Sequence, residues 1–325
     1  IGEFMHAKRF GYERDSKIFL EYHLSAEKAG EILNNTNGYY WRNRWFKPKH
    51  KEEVKVYYST KGELRTYIHQ IPEDASGESL TQRNALNAAQ FFLVGTMGID
   101  IQNWELIESK TEKLKNRWDH EFEWKERSFN IKESNHILTV KVQGDQIGYY
   151  NERIKLPETW RLEYEKIRSK NDLLSTIGFT GLFIALITIF IMILVRARER
   201  DIQWKTAFTW SGIISVLLII NVFNNYPLEL YSYYTQDSYV AYLINIILFQ
   251  CILLPLLVAL SLGILIAGAE PFYRDQYPHQ LSFKHILTIQ GIKSRSFFNS
   301  AIIGISLTFL TFAFKTIFYL LSKEF

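Results

Sequence analysis

Glu270 and Arg274 stand four residues apart in Ala267-Gly-Ala-Glu-Pro-Phe-Tyr-Arg274, at the end of a long apolar run. On one helix face that spacing allows a salt bridge, and beside a bilayer it puts a carboxylate where water could be activated. Pro271 interrupts this: the pattern predicts a helix ending near Gly268 and a short interfacial helix opening at Pro271. Glu270 would then sit near that helix's N-terminus, where exposed amides favour a carboxylate. A lone carboxylate cannot readily serve as general base and also stabilise an oxyanion, and no apolar run supplies a histidine. Glu270 and Arg274 are therefore weak catalytic candidates, and a structural ion pair is the favoured reading.

Two other clusters carry chemical side chains. Tyr39-Tyr-Trp-Arg-Asn-Arg-Trp45 mixes aromatics with guanidinium groups, the composition of platforms for single strands or glycans. As a strand it alternates, which predicts Trp41 and Trp45 mainly buried and Arg42 and Arg44 on a solvent face open to a partner. Arg117-Trp-Asp-His-Glu-Phe-Glu-Trp124 offers Asp119, Glu121 and Glu123 on one strand face. His120 falls on the other face with Trp118, Phe122 and Trp124. That split separates an acid–base pair and favours a buried, hydrogen-bonded structural histidine. There is no GxSxG, Walker loop, GxGxxG, HExxH or CxxC, so no cofactor or metal site is expected.

The elements that must hold these groups divide the chain sharply. Residues 174–195 are 22 uncharged positions, 14 of them Leu, Ile, Phe or Val, followed by Arg196, Arg198 and Arg200. Such a helix is about 33 Å long and gains roughly 4–8 kcal/mol on insertion, enough to span a bilayer. Further spans read at 207–223, 239–268 and 301–321, the third kinked or tilted by Pro255 and its length. Residues 1–170 hold 28 Lys/Arg and 26 Asp/Glu, so that part is soluble and near neutral, with no charge case for nucleic acid. The single Cys251 lies in an apolar run and permits no internal disulfide.

Loop charge gives orientation. The link 196–206 carries Arg196, Arg198, Arg200 and Lys205, and the link after the third span carries Arg274, Lys284, Lys293 and Arg295. The Tyr-rich link 224–238 has no Lys or Arg. The positive-inside rule puts the basic links in the cytoplasm and residues 1–170 outside, in a bacterial inner membrane. Lys315 near the end of the fourth span would cost about 2.5–3.5 kcal/mol at the bilayer centre, and snorkelling to the outer interface is its plain explanation.

In the soluble part a helix followed by antiparallel strands occurs twice. Ser25 caps one helix ahead of strands at 39–46, 54–59 and 63–71, with Lys61-Gly62 as a turn. Ser79 caps a helix over 80–94, ahead of strands at 104–109, 118–125, 137–142 and 146–150. The expected fold is an α+β domain over 1–156, similar in element order to a tandem of PepSY-like units. A connecting helix over 157–173 opens at Pro157, with Trp160 and Tyr164 near the membrane interface. It leads into an all-α bundle of four spans over 174–325. The chain opens without a signal peptide, its first Met being residue 5, and reads as part of a longer protein.

Several phrases carry a family resemblance: Ile1-Gly-Glu-Phe with Gly11-Tyr12, Arg117-x-Asp119-His120-x-Phe122-x-Trp124, Gly144-Asp145, Pro157-Glu-x-Trp160, Arg168-Ser-x-Asn171, Asn225-Tyr-Pro227, and Ala269-Glu270-Pro-x-Tyr273-Arg274. Along nearly its whole length the chain resembles the non-catalytic N-terminal half of large bacterial members of the CPBP family, the CAAX-protease and bacteriocin-processing intramembrane proteases. The resemblance implies Glu-Glu-x-x-x-Arg and later histidine motifs as catalytic groups. Here Ala269 stands in place of the first glutamate, and His279 and His285 lie in a loop. The expected function is therefore the front portion of such a protease, positioning or gating a protein or peptide substrate, with catalysis elsewhere. The alternative is a non-enzymatic membrane sensor or assembly protein whose outer domain binds a ligand or partner.

Overall fold

The computed structural model describes residues 4–198, 202–276 and 288–324. Residues 1–3 of the first family phrase, Arg200, His279, Lys284 and His285 lie outside the described residues. The chain divides into two compact units: a sheet unit of Ile1–Arg168 with Asn224–Ile244, and a helical unit of Ser169–Phe223 with Asn245–Phe325.

In the sheet unit, eight strands form one antiparallel sheet in the order β1-β2-β3-β4-β8-β7-β6-β5. They are β1 (Met5–Tyr12), β2 (Tyr39–Phe46), β3 (Glu53–Ser59), β4 (Leu64–Gln70), β5 (Trp104–Lys113), β6 (Trp118–Glu126), β7 (Asn135–Gln143) and β8 (Gln146–Lys155). The two expected helix-and-strand units are thus halves of a single sheet. Their seam is short: β4 meets β8 only at Thr66↔Asn151, Tyr67↔Tyr150 and Ile68↔Tyr149. The Thr66 hydroxyl donates to Asn151 Oδ1 at 2.8 Å across it. Local chemistry sets the hairpins. Gly144 takes φ +64° at the first position of the two-residue β7–β8 loop, where a Cβ would lie 3.0 Å from Glu78 N.

Helices α1 (Arg14–His23), α2 (Ala26–Asn35) and α3 (Gln82–Phe91) complete the unit. Ser25 Oγ accepts from Lys28 N, as expected of its cap. Thr81, not Ser79, caps α3, by accepting from Asn84 N. Past Phe91 the helix widens into a π turn over Phe92–Thr96. Small Ala85 and Ala89 let α3 lie close on Phe122, Trp124, Leu138, Val140 and Val142. A second core joins Phe19, Leu20, Ala29 and Leu33 of α1 and α2 to Ile154 and Trp160. Each fully buried Leu, Ile, Val or Phe among these contributes about 1.5–3 kcal/mol.

The polar segment and the first span form one uninterrupted helix, α4 (Glu158–Arg198). Its first turn corrects one expectation. Trp160 is buried in the second core, edge-on to Phe19 at 5.1 Å and stacked on Tyr164, because α1, α2 and Ile154 of β8 supply apolar side chains around it. Its place is a protein core rather than an interfacial belt.

Among the described residues, four helical stretches are long and apolar enough to cross a membrane: Glu158–Val195, Trp204–Leu230, Tyr239–Gln276 and Arg295–Phe318. The second is α5 (Trp204–Leu230), which runs on past Pro227. The third comprises α6 (Tyr239–Asn245), a π-helical segment Ile246–Leu253, and α7 (Leu254–Gln276). The widening lies just ahead of Pro255, which cannot donate a backbone bond, and Ser215 Oγ donates to the Pro255 carbonyl at 2.9 Å. Within the helical unit, small residues bring helices together. A Cβ at Gly263 would lie 2.8 Å from the Phe208 ring, and one at Gly268 2.6 Å from Ile193 Cγ1. The last helix, α8 (Arg295–Glu324), buries none of its apolar window, and Lys315 on it is exposed.

Candidate functional site

The face assignment expected for β2 is reversed. Tyr40, Arg44 and Phe46 are buried, with Arg42 half-buried, whereas Trp41 is 42 % exposed and Trp45 only half-buried. The reason lies in what covers each face. The arginine face receives residues 231–236, the link between α5 and α6, whose carbonyls compensate a buried guanidinium. On the tryptophan face the contacts come from neighbouring strands: His6 stacks on Trp45 at 4.8 Å, Phe10 is edge-on to Trp41 at 5.2 Å, and Lys8 lies 4.5 Å over the Trp41 ring.

Arg44 is the hub. Its Nε and Nη2 donate to Glu53 Oε2 at 2.8 and 2.6 Å. Its Nη1 donates to the carbonyls of Tyr231 and Tyr233 at 2.8 and 2.6 Å. Glu53 Oε1 meets Lys55 Nζ at 2.5 Å. Burial works against the Glu53 charge, but Lys55 and Arg44 outweigh it and hold this carboxyl below its ordinary value. Around the hub the 231–236 link is fixed by Tyr233, which is buried with Ala7 and Phe46, by a 2.7 Å bond from Lys49 N to the Thr235 carbonyl, and by Tyr57 and Tyr231 hydroxyls 3.0 Å apart.

Arg42 is held differently. Its guanidinium lies over the rings of Tyr40 and Tyr57, which are stacked 5.6 Å apart, and Nη2 donates to the Tyr40 hydroxyl at 3.0 Å. Gly11, opposite Tyr40 on β1, makes this possible, since a Cβ there would lie 2.6 Å from Arg42 Nε. Arg65 covers the far side of Tyr40 at 4.2 Å and pairs with Glu13. Between this stack and the 231–236 link lies a cavity of about 730 Å³, whose wall carries Arg42, Arg44, Lys51, Lys55, Glu53 and Glu73.

The other candidates resolve into structural roles. His120 is fully buried, with Nδ1 2.9 Å from Thr111 Oγ1 and Nε2 2.9 Å from the Leu80 carbonyl, as its strand face implied. Asp119 pairs with Arg117 and Glu123 with Arg153, both on the opposite face. At the third span α7 does not end at Gly268 but continues through Pro271 to Gln276. Glu270 is 4 % exposed and meets Arg274 at 3.7 Å on one helix face, so the i,i+4 geometry holds and the interfacial helix does not form. Pro271 forfeits a backbone bond within the helix, a cost that its burial in this unit offsets.

One buried network was not legible. His136 bridges Glu126 at 2.7 Å and Glu152 at 3.0 Å, and Asn37, in the left-handed region at φ 52°, donates to Glu152 at 2.9 Å. Burial disfavours charging this ring, but the two carboxylates outweigh it and raise His136 above its ordinary value. Both ring nitrogens are taken up by carboxylates, so His136 ties β6, β7 and β8 together. Among the described residues no group of His, Cys, Asp and Glu could hold a metal ion. No family model, curated protein or solved structure matches the chain.

Proposed function

We propose that this chain is a multi-span protein of a bacterial inner membrane whose sheet unit lies outside, binds a ligand or partner, and passes its bound state to the spans through the link 231–238. The observation carrying this reading is Arg44, which joins a buried carboxylate of the sheet to two backbone carbonyls of that link. A ligand at this clamp biases the spans only if it binds the clamped state and a released one differently. Sidedness is supported by the loop charges. The grouping of Asn224–Ile244 with the sheet fits two crossings between them, which return the chain to its starting side whichever side that is.

A second reading, the front portion of a CPBP-type protease that positions or gates a peptide substrate, is favoured by the buried Glu270 one turn from Arg274. It keeps the spacing of half the family motif.

Hydrogen exchange on the full chain in nanodiscs tests the coupling. Arg44→Ala should speed exchange over 231–238 and into the adjoining ends of α5 and α6. Acceleration confined to β2 and β3, with 224–245 unchanged, refutes it.

A further inference from the structure

We propose that the cavity between the β2–β3 face and the 231–236 link binds a small organic anion through a phosphate or carboxylate head. This deepens the ligand-binding reading above and rests on it for the claim that the sheet unit has a ligand. The charges on the wall carry the class. Glu53 is already shared by Arg44 and Lys55, and Arg44 also saturates two carbonyls. Arg42 and Lys51 have no carboxylate partner among the described residues. The remaining acid, Glu73, is solvent-exposed, where water and salt screen it.

Arg42 is also prepared for the task. Tyrosine rings and the Tyr40 hydroxyl hold its plane without neutralising it, and Gly11 gives it room. A fork fixed beforehand loses little freedom when it takes an oxyanion. Of the paired Tyr57 and Tyr231 hydroxyls, whichever accepts keeps its own O–H to donate. Phenol O–H groups beside a cation pair suit an oxyanion, while the charges of Arg42 and Lys51 repel a cationic ligand. About 730 Å³ exceeds what a bare inorganic ion fills and lies within the range of small-molecule sites, so the head should carry an organic body.

The test is calorimetry on the full chain in phosphatidylcholine nanodiscs, with inorganic phosphate, citrate and glucose 6-phosphate as probes. Lipid co-purifying with protein expressed in phosphatidylglycerol-rich membranes is weighed by mass spectrometry. The expected result is saturable binding of at least one soluble probe, weakened about tenfold or more by Arg42→Gln and by Lys51→Gln. Lys8→Gln, on the opposite face over Trp41, should bind as the parent does. Phosphatidylglycerol retained by the parent and lost in Arg42→Gln, without heat from soluble probes, supports the same site with a headgroup as the source. Lys51 is exposed, so its variant keeps the test decisive should Arg42→Gln fail to fold. Absence of saturable probe binding together with no retained phosphatidylglycerol, or binding in both glutamine variants equal to the parent's, overturns the proposal. Anion binding without altered exchange at 224–245 would keep the site and remove the coupling; altered exchange without binding would do the reverse.

Discussion

Arg44 and Glu53 meet on the covered face of β2 and β3, two hydrogen bonds from the guanidinium converging on one carboxylate oxygen. Both residues are buried, and each is completed by a third group: Lys55 for Glu53, the Tyr231 and Tyr233 carbonyls for Arg44. Removing one partner strands the rest. Arg44→Ala should cost about 3–5 kcal/mol, the usual penalty for leaving one half of a buried ion pair. Arg44→Met with Glu53→Met should recover much of that loss. Denaturant unfolding of the four proteins of the cycle measures the coupling, and additive losses would contradict it.

The dependence on pH has two limbs of opposite sign. Glu53 titrates below its ordinary value in the folded protein, so its contribution is present above about pH 4.5 and is lost as pH falls through the depressed value. His136 titrates above 6.5 when folded, so its contribution is complete below that pH and is lost as pH rises through the raised value. Glu53→Gln should flatten the acid limb of stability against pH, and His136→Gln the limb above neutrality. Unfolding free energies from pH 3 to 9 check both, and unchanged limbs would rule out these groups as the cause.

Much of the fold was legible because local pattern and tertiary demand agree. All seven strands beyond β1 start or end within a residue or two of the alternating runs, and His120 is buried as its strand face implied. What failed did so where burial is decided by distant chain. Alternation separated Trp41 and Trp45 from Arg42 and Arg44 correctly, but could not tell which face a link almost 190 residues away would cover. Strand β1 was hidden because Met5–Tyr12 is an edge with most side chains in solvent, and α1 because its apolar positions are few. Pro271 was read by local propensity, which the surrounding helices override. For the cavity, the visible signals were the Tyr-rich link and the arginines of β2; Gly11, whose missing Cβ admits Arg42, gave none.

Close helix contact in the membrane unit should depend on position and not on composition. At Gly268 a Cβ would lie 2.6 Å from Ile193 Cγ1, whereas at Gly304 nothing lies within 4 Å. Gly268→Val should lower the thermal midpoint in detergent by a strain cost of about 1–3 kcal/mol, and Gly304→Val should leave it near the parent value. Equal effects would mean that these helices do not pack through Gly268.

The clamp and its side of the membrane can be read in one measurement. Lys49 N donates to the Thr235 carbonyl at 2.7 Å, which brings the two backbones within the reach a disulfide needs. With Cys251 replaced by Ser, Lys49→Cys and Thr235→Cys form the only cysteine pair. In intact bacterial cells without added oxidant, that pair should be found as a disulfide, seen as a reductant-sensitive shift in gel mobility, because the outer compartment is oxidising and the link rests on the sheet. Two free thiols at steady state in folded, membrane-inserted protein would contradict the account.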